Sequence, residues 1–175
     1  MVRLGINGFG RIGRLVLREA MRRGDVEVAA VNDLAQASLL AYLYARDSIH
    51  GRVEGDVSID DCYLVAAGRR VRMVQEKDPG RLPWKELGVD VVIEATGAFR
   101  SRTDAARHLD AGARRVLLSA PSADADFTLV MGVNHSQFDG ARHRVVSNAS
   151  CTTNALAPVA MILHEQFGVE RGFIL

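Results

Sequence analysis

The sequence predicts an α/β fold, a doubly wound and mostly parallel sheet. A strand, a glycine turn, a helix and a second strand succeed one another within the first 31 residues, and apolar β-branched runs alternate with helical patterns beyond them. Parallel neighbours need a crossover of a dozen or more residues, which a helix supplies. Alternating strands and helices build sheets of this kind. The length of 175 residues, with 48% hydrophobic content, supports one domain with a real core and a small appendage.

The elements follow in order. Val2–Ile6 reads as a short buried strand. Arg11–Arg22 reads as a helix with Ile12, Leu15, Val16 and Ala20 at helical spacing. Val26–Val31 is a second strand, rich in β-branched residues and ending at Asn32-Asp33, and Gln36–Tyr44 is helical. Tyr63–Ala66 and Arg70–Val74 flank Ala67-Gly68-Arg69 and predict a hairpin. Trp84–Leu87 is a short helical turn, Val89–Glu94 a buried strand, Arg102–Ala111 a helix and Arg115–Leu118 a strand. Phe127–Met131 and His143–Val146 are further apolar runs. A helix then carries Ala155, Leu156, Val159, Ala160, Ile162 and Leu163, and Pro158 either starts its regular part or kinks it. Phe173-Ile174-Leu175 opens another apolar run, which reads as a truncated strand that would pair with something.

Composition excludes several classes. A net charge of +1 offers no field to steer nucleic acid. The clusters Arg18, Arg22, Arg23 and Arg69, Arg70, Arg72 read as solvated faces. Two cysteines, Cys62 and Cys151, give neither a disulfide framework nor metal spacing, so no metal is expected. They fit a reducing, cytoplasmic setting. The N-terminus shows no leader pattern, and no apolar stretch approaches a membrane span.

Gly8, Gly10 and Gly13 satisfy G-x-G-x-x-G between the first strand and its helix. The spacing assigns Gly8 to a tight turn, Gly10 to close approach of a pyrophosphate and Gly13 to helix–strand packing. The helix N-terminus turns free N–H groups and a positive dipole end toward the phosphates. Asp33 lies at a strand end twenty residues past Gly13, where a carboxylate accepts both ribose hydroxyls and repels a 2′-phosphate. A Rossmann-type site for NAD rather than NADP follows. The plainer alternative is a tight turn, with Asp33 capping the next helix.

Ser150-Cys151-Thr152-Thr153-Asn154 opens the last helical pattern. A thiol at a helix N-terminus is favoured as the nucleophilic thiolate. Ser150, Thr152 and Thr153 add hydroxyls and backbone donors suited to a phosphate or an oxyanion. The plainer alternative is a buried cysteine with a Ser/Thr cap. Cys62 reads as a half-buried strand residue. His50, His108, His135, His143 and His164 read as surface or packing residues, with His164 about three turns down the helix from Cys151.

Over its whole length the chain resembles the glyceraldehyde-3-phosphate dehydrogenase family. The resemblance is carried by Gly5–Arg14, Asn32-Asp33, Asp47–Gly51, Glu94–Gly97, Ser119–Ser122, Met131–His135 and Ser147–Asn154. It implies that Arg11 and Ile12 contact the pyrophosphate, that Asp33 holds the adenosine ribose and that Lys77 lies beside the adenine. Thr96 and Ser119 would stand nearer the nicotinamide. Cys151 matches the catalytic thiol, with Ser150 and Thr152 at the phosphate or C1 end of the substrate. Lys77 stands where Arg is frequent and loses its planar stacking. Ala155 stands where a second cysteine is frequent, and Arg46 where Tyr is usual.

The implied reaction is NAD-dependent phosphorylating oxidation of glyceraldehyde 3-phosphate, with inorganic phosphate, to 1,3-bisphosphoglycerate through a cysteine thioester. The implied assembly is a homo-oligomer, a tetramer. Residues 1–149 would form the NAD-binding domain and 150–175 the start of a truncated catalytic domain. The family's catalytic histidine falls beyond Leu175, so the chain alone is expected to bind nucleotide without turnover. The alternatives are an erythrose-4-phosphate dehydrogenase and a non-catalytic NAD-binding fragment.

Overall fold

β1 (Val2–Asn7) and β2 (Val26–Asn32) run parallel, joined by α1 (Arg11–Arg22), with Asn7 opposite Asn32. This is the predicted crossover, seen here in a computed structural model that describes residues 1–174. The chain continues through α2 (Ala37–Ala45), β3 (Arg46–Asp47), β4 (Gly51–Arg52), β5 (Val57–Asp60), β6 (Tyr63–Ala66) and β7 (Arg69–Val74). It ends with β8 (Val91–Glu94), α3 (Arg102–Asp110), β9 (Arg115–Leu118), β10 (Phe127–Thr128), β11 (Val145–Ser147) and α4 (Cys151–Phe167). The main sheet has the order β10-β11-β9-β8-β1-β2-β7-β6-β5. All pairs from β10 to β7 are parallel, while β7-β6-β5 form an antiparallel extension. The chain leaves β1 toward β2 on one side and returns to β8 on the other. The topological switch therefore lies between β1 and β8.

The core sits on both faces of the sheet. Ile6, Phe9, Leu17, Val31, Leu40, Tyr44, Leu64 and Val71 fill one side, and the Phe9 and Tyr44 rings stack at 5.8 Å. Trp84, fully buried, anchors a second cluster with Leu82, Val89 and Val92. A Cβ at Gly5 would meet the Trp84 ring at 2.8 Å, so this strand glycine exists to admit the indole.

Several boundaries differ from the sequence reading. The hairpin loop is only Ala67-Gly68, both at positive φ, so Arg69 joins β7 opposite Ala66. A two-residue turn of this handedness matches the twist of the strands. Val89 stays outside β8 because its N–H bonds the carbonyl of Trp84. The run Phe127–Met131 gives only the two residues of β10, and the last strand sits at Val145–Ser147 rather than His143–Val146. β5 and the small β3–β4 pair carry too many polar residues to be read as strands. α4 passes through Pro158 without ending, so that proline does not start the helix. Phe173 and Ile174 are exposed and belong to no strand, and the remainder of that expected strand, Leu175, lies outside the described residues. Among the described residues no helix is long and apolar enough to cross a membrane, and no group of His, Cys, Asp and Glu could hold a metal ion.

Candidate functional site

At the C-terminal ends of β7, β2, β1 and β8 the chain lines a cleft of about 410 Å³. It brings together Gly8, Gly10, Asp33, Lys77 and Thr96 of the predicted set. The three glycines differ in cause. Gly8 has φ +92°, and a Cβ there would lie 2.6 Å from the Thr96 amide nitrogen, so the loops after β1 and β8 touch. A Cβ on Gly13 would lie 2.1 Å from the Gly8 carbonyl oxygen, so α1 can start only if this residue has no side chain. Gly10 has nothing within 4 Å of a built Cβ, and the space it leaves opens on the cleft. As N-cap of α1 it offers no side-chain oxygen, so first-turn N–H groups remain for an anion.

The Asp33 carboxylate accepts the Phe9 N–H at 2.7 Å on Oδ2 and the Ala35 N–H at 3.0 Å on Oδ1. Each oxygen keeps a further lone pair. The Thr96 hydroxyl donates to Glu94 Oε1 at 2.5 Å and accepts the Ala98 N–H at 3.1 Å. A dinucleotide fits this donor set: open backbone at the glycine turn, a half-buried carboxylate beside it and an exposed lysine opposite.

Four predicted residues do not line the cleft. Arg11 and Ile12 are exposed on the first turn of α1, outside the cleft lining, with their main-chain N–H groups at the helix N-terminus. Gly13 is buried behind the turn, and Ser119 follows β9 with its N–H on the Glu94 carbonyl at 3.0 Å. The sequence reading missed Asn7, Asn32, Leu34, Glu76 and Phe99, all of which line the cleft. A signal was present for the first two, since each asparagine ends a buried apolar strand at the same register.

The thiol site is built on the turn from β11 into α4. Ala149 is buried at φ +57°, a costly conformation for a residue with a Cβ, and its N–H donates to Ser147 Oγ at 3.0 Å. Asn154 Nδ2 clasps the same turn, donating to the carbonyls of Asn148 and Ser150 at 2.8 and 2.9 Å. Ser150 is the N-cap, and its Oγ accepts the Thr153 N–H at 2.9 Å. The same Oγ lies 2.8 Å from Thr153 Oγ1, so the hydroxyl that caps the helix also pairs with a second one beside the thiol turn. Cys151 opens α4 as an exposed free thiol beside the exposed Thr152. None of α4 is buried. His164 accepts the Val169 N–H on Nδ1 at the far end of this helix, about 20 Å from Cys151 at 1.5 Å per residue. Cys62 is neither half-buried nor in a strand: it is exposed in the turn between β5 and β6, because the antiparallel register closes the hairpin at Asp60 and Tyr63. Of the histidines, His108 is fully buried and the packing reading holds.

Comparison with known proteins agrees with this geometry. Residues 2–102 match the glyceraldehyde 3-phosphate dehydrogenase NAD binding domain, and residues 150–175 match the C-terminal domain of the same family. The chain is 54% identical over 173 residues to glyceraldehyde-3-phosphate dehydrogenase of Geobacillus stearothermophilus, covering 99% of this chain and 52% of that protein. It is 53% identical to the Chlamydia trachomatis protein of the same name and 48% identical to the cytosolic one of Trypanosoma brucei brucei, each over 174 residues, 99% of this chain and 52% of the relative. The chain thus spans about half the length of the curated relatives it matches. It belongs to the glyceraldehyde-3-phosphate dehydrogenase family and carries that family's NAD-binding domain.

Proposed function

We propose that NAD lies along the C-terminal edge of the sheet and that Cys151 is the nucleophile of a phosphorylating aldehyde oxidation. One observation carries the reading. Lys77, Asp33, the Gly8–Gly10 turn, Thr96, Ser119 and Cys151 follow β7, β2, β1, β8, β9 and β11, which are consecutive neighbours in the sheet. That order matches adenine, ribose, pyrophosphate, nicotinamide and thiol. From β7 to β9 is four strand spacings, about 19 Å at 4.7–4.9 Å each, a span suited to an extended dinucleotide.

In this reading Asp33 accepts ribose hydroxyls and opposes a 2′-phosphate, and the first-turn N–H groups of α1, including those of Arg11 and Ile12, hold the pyrophosphate. The Cys151 thiolate attacks the aldehyde carbonyl of glyceraldehyde 3-phosphate to form a hemithioacetal. NAD, when bound, supplies the hydride acceptor. Loss of hydride and of the hydroxyl proton leaves a thioester on Cys151, and inorganic phosphate attacks it, releasing 1,3-bisphosphoglycerate and the thiol. Thr152, exposed beside the thiol, and Ser150, which also caps the helix, supply the hydroxyls at the substrate end. Residues 1–149 form the nucleotide-binding unit, 150–175 belong to the catalytic unit, and the protein assembles as a homo-oligomer.

By themselves the 175 residues bind nucleotide without turnover. Among the described residues no hydrogen bond reaches the Cys151 thiol, so only the helix terminus activates it. Titration with NAD, followed by assay with glyceraldehyde 3-phosphate and erythrose 4-phosphate, tests this. Saturable binding without turnover is expected. Turnover comparable to that of a relative with either aldehyde would contradict it.

A further inference from the structure

Behind the cleft floor a buried chain of hydrogen bonds links the core to the residues that face the ligand. Glu94 ends β8 and is 3% exposed. Its Oε2 accepts from Asn7 Nδ2 at 2.6 Å and lies 3.0 Å from His108 Nε2. Its Oε1 accepts the backbone N–H and the hydroxyl of Thr96 at 2.8 and 2.5 Å. His108, on α3, has its Nδ1 3.0 Å from the indole nitrogen of Trp84.

An indole N–H can only donate. Nδ1 of His108 is therefore an acceptor, its proton sits on Nε2, and Nε2–H donates to Glu94. Four donors then converge on one carboxylate, which is what a buried charge needs. With both Glu94 oxygens accepting, Asn7 must turn its amide nitrogen inward and its Oδ1 toward Asn32 Nδ2 at 2.7 Å. Asn32 in turn clasps the main chain of Glu76, through carbonyl and N–H, at 2.8 Å each. The hydroxyl proton of Thr96 is spent on Glu94, so toward the cleft it can only accept. Asn7, Asn32, Glu76 and Thr96 all line the cleft.

We propose that Trp84, His108 and Glu94 are positioning residues: one tautomer of His108, selected by Trp84, fixes through Glu94 the donor and acceptor pattern of the cleft floor. Its binding consequence rests on the reading of the cleft as the NAD site; its tautomer does not.

The test has two arms on the full chain. Imidazole ¹⁵N spectra should show His108 with a pyridine-like Nδ1 and a pyrrole-like Nε2. A protonated Nδ1 would overturn the proposal. In NAD titrations, His108→Gln returns an amide N–H to Glu94 and should bind within a few-fold of the unaltered chain. His108→Leu fills the space without a donor and should bind about tenfold more weakly, as for loss of one hydrogen bond to a charged group. A folded His108→Leu that binds as tightly as the unaltered chain would overturn it. If His108→Leu does not fold, the nitrogen spectrum of the unaltered chain decides. Failure of the unaltered chain to bind NAD would defeat the cleft reading and leave that spectrum to judge the network.

Discussion

Asp33 Oδ2 accepts the backbone N–H of Phe9 at 2.7 Å, which fastens the carboxylate just past β2 to the glycine turn that opens α1. Structural and ligand-facing roles therefore meet in one side chain. Asp33→Asn keeps the shape but sets an amide donor against the Phe9 or Ala35 N–H. It should lower stability by about 1–3 kcal/mol, weaken NAD and relax discrimination against NADP. Denaturant melts and parallel titrations with the two nucleotides check this. An unchanged NAD to NADP ratio would mean that Asp33 does not face the ribose.

Gly10 and Gly13 separate fold from site. Gly13→Ala drives a Cβ to 2.1 Å from the Gly8 carbonyl oxygen and should cost about 3 kcal/mol or prevent folding. Gly10→Ala meets no atom within 4 Å, so it should cost below about 1 kcal/mol. It should nonetheless weaken NAD, because the new methyl enters the space opposite the phosphates. Thermal melts beside calorimetric titration distinguish the two.

Both cysteines are exposed, so access does not separate them. Cys151 should still react faster with iodoacetamide, by about two- to five-fold, as the 0.3–1 kcal/mol of an exposed helix terminus implies. Rates at each site, read by peptide mass, decide the matter. Faster labelling of Cys62 in folded protein would count against the nucleophile assignment.

Asp126 ties the strand that leads to the thiol turn. Burial works against its charge, but the N–H groups of Val145 and Arg144 and the Arg102 guanidinium outweigh that and hold its carboxyl below the ordinary 3.8. A carboxyl lowered in the folded state contributes stability that is present above 3.8 and is lost as pH falls through its lower folded value. Asp126→Asn should destabilise the chain at neutral pH and flatten the loss of stability below about pH 4. Stability curves against pH for both chains show whether it does.

The glycine spacing, the first crossover and the helix at Cys151 were legible because each is a local pattern with a local cause. What could not be read depends on partners distant in sequence. Gly5 looks like a weak point in a strand until Trp84, far along the chain, occupies the space beside it. Asn7, Asn32 and Glu94 look like polar strand ends until the sheet order sets them side by side. Cys62 was misplaced because β5, too polar to be read as a strand, hides the hairpin whose turn holds the cysteine. The Ser/Thr cap of the thiol helix was legible, and Ser150 makes it with the Thr153 N–H.

The most direct test of the NAD site is a titration of the isotope-labelled chain with NAD, followed through backbone amide resonances. Saturable shifts should centre on Gly8–Gly10, Asp33, Lys77 and Thr96, extend to Ser119, and be weakened for NADP. Shifts confined to residues away from this edge of the sheet, or equal responses to the two nucleotides, would contradict it.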